Sequence, residues 1–234
     1  LGPRNGAAVA AVARDLAAGR PIYLVATHAH PEHDLGAQAF PAGSWLIRSE
    51  AQEADGPQDM RVAETFRARS AAMAELLSGA RWRPADIRFE GVYDLDLGGL
   101  HVQLIDMGAN HTNGDTVIWI PADRVLFSGD LAMQPQPVIT TERASIAKWQ
   151  TSLDRLEGLA PQLIVPSHGP TGDLDLVRGY RVYLAEVAER TAKARSEGLT
   201  LEATTDAIAD AMQSRYPSRD RLATAMRAAF AAAP

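Results

Sequence analysis

The order of apolar and polar positions in this chain predicts short strands alternating with longer helices. Residues 6–18 (GAAVAAVARDLAA) have helical composition and run into Gly19, which suits a helix stop, whereas residues 1–6 read as the end of a turn. Residues 22–26 (IYLVA) form a short unbroken apolar run, the pattern of a strand buried on both faces. The polar stretch THAHPEHDLG follows at once. Pro31 forbids a regular strand there, so 27–36 is read as a loop at the strand's carboxyl end, where ligands sit in open α/β folds. Residues 45–48 suit a short strand, 51–58 are polar and turn-rich, and 61–77 have helical composition.

In the second half the pattern is clearer. Residues 100–105 alternate, with Leu100, Val102 and Leu104 on one face of a strand and His101 on the outward face. Residues 116–120 and 124–128 read as two strands joined by the turn Pro121-Ala122-Asp123. A helix over 144–156 precedes a buried strand over 163–165. From Leu174 the chain is helical, with Val177, Tyr180, Leu184, Val187 and Ala188 on one apolar face. Two further helices are expected over 201–212 and 219–230, separated by Pro217. The pattern predicts an α/β domain over 1–172, with a helical insertion at about 58–80, and a helical extension over 173–234 packed on the same domain.

Composition narrows the chemistry. With 46% hydrophobic and 22% charged residues, the 234-residue chain has the balance of a soluble globular protein. The formal net charge of −6 argues against a nucleic-acid-binding surface, and no run is long and apolar enough to span a membrane. There are no cysteines, so a metal site must be built from His, Asp and Glu.

Of six histidines, His28, His30 and His33 fall within one stretch of six positions, with Glu32 among them. Imidazole and carboxylate are ligands of zinc and its neighbours. On an extended segment His28 and His30 point the same way and can share one ion, while the turn at Pro31 swings Glu32 and His33 toward a second. His111 (GANHTNGD), Asp130 (VLFSGD) and His168 (VPSHGPTG) each follow a predicted strand, so one sheet edge can gather them all. Asn113, Asp115 and Thr116 suit turn chemistry before the next strand better than bonds that orient His111, and Asp34 suits either a supporting bond to a ligand or a solvated position. The tryptophans suit packing, with Trp82 as a lid contact.

THAHPEHDLG, GANHTNGDT, VLFSGD and VPSHG resemble, in order and spacing, the metal-binding motifs of the metallo-β-lactamase superfamily, over about residues 2–172. Within it, HTNGDTVIWIP, the helical insertion and the helical tail resemble the branch related to sulfur-oxidation and quinoprotein-associated zinc hydrolases. The resemblance implies a four-layer αβ/βα sandwich. It also implies that N-terminal strands are missing from this chain, since residues 1–3 resemble the run just after the family's opening hairpin. By matching position, His28, His30 and His111 look like the ligands of a first zinc, and Glu32, His33 and His168 look like those of a second. Asp130 looks like the carboxylate that bridges them, and Gly36 matches the motif's closing glycine. Glu32 stands where the family usually has Asp, which bears on the second site's geometry and affinity.

The implied activity is zinc-dependent hydrolysis of an ester, thioester, lactone or amide by a metal-bound hydroxide, with Glu32 and Asp130 aligning the attacking group and handling its proton. The implied partner is a small-molecule substrate. Phosphate and sulfate esters suit the same chemistry. One ion instead of two, iron-dependent redox chemistry of the dioxygenase type, β-lactamase activity and a non-catalytic binding module stand as alternatives, and the oligomeric state is open.

Overall fold

The computed structural model describes residues 2–232. Its contacts gather into two compact units. One holds the residues up to Tyr93 together with Gly114–Thr116; the other holds Asp94–Asn113 and the residues from Val117 onward.

The first unit opens with helix α1 (Gly2–Ala17). Residues 2–6, expected to end a turn, lie inside this helix. Gly2, Gly6 and Ala10, spaced four apart, are its buried positions. A Cβ on Gly6 would fall 2.2 Å from the Gly36 carbonyl oxygen, and one on Gly2 would fall 2.1 Å from that of Leu76. Close backbone packing here overrides the poor helix propensity of glycine.

Strand β1 (Tyr23–Val25) pairs in parallel with β2 (Trp45–Ser49), which pairs in parallel with β3 (Ile87–Phe89). Leu46 and Ile47 of the central strand are fully buried, whereas β1, expected to be buried on both faces, is half-buried.

Helix α3 (Glu50–Arg67) covers residues 51–58, expected to be turn-rich. A capping box starts it: Gln52 N–H donates to Ser49 Oγ (3.2 Å) and Ser49 N–H donates to Gln52 Oε1 (3.1 Å). Gly56, a nominal helix breaker, is required by packing, since a Cβ there would meet the Trp82 ring at 2.2 Å. A second helix, α4 (Ala71–Leu76), follows after a break, so the single helix expected over 61–77 is two. Its N-cap, Ser70, accepts from Met73 N–H at 3.2 Å.

The second sheet runs in the order β4 (Val92–Asp96), β5 (His101–Gly108), β6 (Asp115–Ile120), β7 (Val125–Gly129), β8 (Leu163–Pro166). Val102 and Leu104 are buried and His101 is exposed, as the alternation predicts, while Leu100 precedes the strand and is exposed. The expected hairpin is present: β6 and β7 pair antiparallel, with Arg124 in the left-handed region (φ 53°) closing the turn. Strand β8 returns parallel to β7; only Ile164 of it is fully buried, against the expectation of a buried run.

Helices α5 (Ile146–Gly158), α6 (Leu174–Ser196), α7 (Leu201–Met212) and α8 (Arg219–Ala232) fall where the apolar periodicity puts them. Val177, Tyr180, Leu184 and Val187 of α6 join one core with Trp149, Leu153 and Leu156 of α5, Met212 of α7 and Leu222 and Met226 of α8. Each such side chain contributes about 1.5–3 kcal/mol by leaving water. Asp173, Thr200 and Ser145 cap α6, α7 and α5 by accepting backbone N–H groups.

Candidate metal centre

In the first unit, β1 ends at Val25 and the chain turns through a segment secured from two sides. Gln52 Nε2 donates to the Ala26 carbonyl (2.8 Å), and Thr116 N–H donates to the Thr27 carbonyl (2.7 Å). His30 is extended (φ −130°, ψ 147°), as the residue before a proline must tend to be. Pro31 then opens a one-turn helix, α2 (Pro31–Asp34), where its missing N–H costs nothing. Of the expected loop, the second half is therefore helical. His33 N–H and Asp34 N–H both donate to the His30 carbonyl, at 2.9 and 3.0 Å.

This turn folds the imidazoles back on one another. The His28 ring lies 4.9 Å from that of His30 and 4.2 Å from that of His33, centroid to centroid. His33 Nε2 is 3.9 Å from Glu32 Oε1. Ligand atoms of His28 and His30, of His28 and His33, and of Glu32 and His33 lie within 4.8 Å of one another, the spacing of groups that share an ion. The Thr27 hydroxyl is 3.1 Å from His28 Nδ1 and orients that ring.

In the second unit the register of β7 and β8 does the gathering. Gly129 pairs with Pro166, so Asp130 and Ser167–His168 leave the sheet side by side. Asp130 Oδ1 accepts from the Ser167 hydroxyl and lies 3.8 Å from His168 Nε2; its Oδ2 lies 3.3 Å from His111 Nε2. His111 Nδ1 is 2.6 Å from the Val138 carbonyl oxygen. A carbonyl only accepts, so Nδ1 carries the proton and Nε2 keeps a lone pair that could bind a metal. The Thr140 N–H and hydroxyl both donate to the His111 carbonyl, at 3.0 and 2.6 Å. His111 and Asp130 are buried, and His168 is partly exposed.

Each unit therefore brings together its own share of the expected ligands: His28, His30, Glu32 and His33 in the first, His111, Asp130 and His168 in the second. The donor set is nitrogen and oxygen only, with the His111 tautomer fixed by the Val138 carbonyl, and it fits zinc. Asn113 accepts from the Thr141 hydroxyl, and Asp115 and Thr116 are buried at the start of β6. Trp82, expected as a lid contact, instead packs on Arg48 (5.2 Å to the ring centroid) and Gly56. Ser167 and the Val138 carbonyl escaped the sequence reading. The serine adjoins a singled-out histidine, but a backbone carbonyl leaves no signal in sequence.

The family model described as the metallo-beta-lactamase superfamily matches residues 2–168. Metallo-beta-lactamase type 2 of Bacteroides fragilis is 25% identical over 103 residues, covering 42% of this chain and 41% of that protein. The linear primary-alkylsulfatase of a Pseudomonas strain is 27% identical over 215 residues, covering 76% of this chain and 40% of that protein. The chain thus spans about two fifths of the length of these curated relatives. Among solved structures, a stereoselective inverting sec-alkylsulfatase from Pseudomonas sp. shares the fold, with a TM-score of 0.68 at 20% identity over 96% of this chain and 44% of that one. From the motifs, the α/β fold and the match over residues 2–168, the chain belongs to the metallo-β-lactamase superfamily.

Proposed function

We propose that the seven residues form one dinuclear zinc centre and that the chain is a hydrolase of small-molecule esters, thioesters, lactones or amides. The observation that carries this reading is the crowding of three imidazoles and a carboxylate at the end of β1, with the His28 ring within 5 Å of those of both His30 and His33. Rings packed this closely repel if protonated, and a shared cation removes that conflict. His28, His30 and His111 would hold the first ion, Glu32, His33 and His168 the second, and Asp130 would face both.

Zinc, when bound, supplies a Lewis acid that polarises the scissile group and makes water nucleophilic near neutral pH. The chain's own residues orient the reaction. Ser167 fixes Asp130 Oδ1, so that its carboxylate keeps one rotamer while accepting a hydrogen bond from the attacking water. Glu32, whose side chain is partly exposed, can receive that proton at Oε1 and return it to the leaving group.

Sulfate esters are the second reading. The alkylsulfatase match extends over 76% of this chain, against 42% for the β-lactamase match.

The test is metal quantification on purified protein, paired with a hydrolysis screen over thioesters, lactones, β-lactams, phosphodiesters and alkyl sulfates. Two equivalents of zinc are expected, with turnover of at least one class that a chelator abolishes and added zinc restores. Iron as the native metal with oxygen uptake would overturn the hydrolase reading; turnover that survives chelation would remove the metal from it.

A further inference from the structure

Behind the α2 turn lies a charged cluster that the proposed chemistry does not use. Arg48, on the central strand β2, and Asp34, the last residue of α2, are both almost fully buried. Arg48 Nη2 donates to Asp34 Oδ1 at 2.5 Å. Its Nη1 donates to Glu53 Oε2 of α3 (3.2 Å) and to the Arg83 carbonyl (2.6 Å), and the Trp82 ring covers the guanidinium. Glu53 is itself tied down, accepting from Ala85 N–H at 3.1 Å.

Burying a guanidinium and two carboxylates carries a large desolvation cost, and apolar side chains of the same volume are often no less stable. What such a cluster supplies is geometry. A four-residue helix cannot hold its own orientation, because one turn of hydrogen bonds does not repay its nucleation. The Asp34 anchor fixes how α2 is rotated, and α2 carries Glu32 and His33. His28 and His30 precede Pro31, and the backbone leading into them is held by bonds that involve neither Arg48 nor Asp34, from Gln52 to Ala26 and from Thr116 to Thr27.

We propose that Arg48 and Asp34 are positioning residues for the second metal ion, holding Glu32 and His33 without touching that ion. This rests on the two-ion reading above. Loss of the anchor then weakens the second ion and spares the first.

The experiment titrates metal-free protein with zinc by calorimetry and with cobalt by visible absorption, in wild type, Asp34→Asn and Arg48→Lys. Asn keeps the shape of Asp34 and removes its charge; Lys keeps the charge of Arg48 and removes the fork that reaches Asp34 and Glu53 together. The expected result is a second equivalent bound ~10–100-fold more weakly in both variants, the size seen when a supporting partner of a metal ligand is lost. The first equivalent is unchanged, and the cobalt bands of the second site fade alone. Wild-type affinity for both equivalents in both variants would overturn the inference, as would equal weakening of the two, which is the mark of a general loss of fold. A wild-type protein that takes up fewer than two equivalents would overturn the two-ion reading, and this inference with it.

Discussion

Replacing His30 with alanine leaves a folded protein whose turnover falls by a factor on the order of 10³ or more. The size follows from what is lost. Removing a single donor from a transition-state site costs ~10²–10³ in rate. If His30 is a ligand of the first ion, as proposed, its removal would withdraw the Lewis acid itself, along with the charge that would fix the other ligands. Folding should be spared, because His30 is only partly buried and sits on a turn that Pro31 and the neighbouring backbone bonds define. Circular dichroism and the thermal midpoint of metal-free protein check this half; steady-state rates on the best substrate check the other. A variant that keeps full turnover would exclude His30 from the ligand set.

The largest effect on stability is expected at Trp149. Its ring is fully buried, 5.9 Å edge-on from Tyr180, and its Nε1–H donates to the Leu131 carbonyl at 3.1 Å. That carbonyl belongs to the residue after Asp130, so the bond ties α5 to the loop that carries Asp130. Trp149→Ala is expected to destabilise by about 3–5 kcal/mol through lost burial and the cavity left behind. For a chain of this length that lowers the thermal midpoint by ~6–20 °C. Trp149→Phe keeps most of the burial but strands the Leu131 carbonyl, at a cost of about 1–3 kcal/mol. Trp45, 46% exposed, is the control: its alanine variant should stay within ~0.5 kcal/mol of wild type. Equal losses at Trp45 and Trp149 would contradict this ranking.

What could be seen in the sequence divides along physical lines. Helix α6 was legible because its apolar face repeats at the helical period, and α7 and α8 because Pro217 divides two stretches of helical composition. The β6–β7 hairpin was legible from its turn. The ligand candidates were legible because imidazoles are rare and these cluster after strands. The start of α3 was not: residues 51–58 look like a turn, and only the reciprocal bonds of Ser49 and Gln52, with Trp82 packed on Gly56, make them helical. The early start of α1 was hidden for the same reason, since Gly2 and Gly6 suit a helix only where another backbone approaches closely. β3 and β4 were missed because each is short and mostly exposed on one side. The buried Arg48–Asp34 pair was out of reach, because no local pattern links positions 34 and 48; Asp34 stood equally well as solvated.

The most direct measurement is anomalous diffraction at the zinc edge from crystals of the zinc-loaded protein. Two peaks roughly 3.5–4 Å apart are expected. His28, His30 and His111 should surround one, Glu32, His33 and His168 the other, and Asp130 should lie between them. Zinc bound at other side chains, or the histidines of positions 28, 111 and 168 facing no common pair of ions, would contradict it.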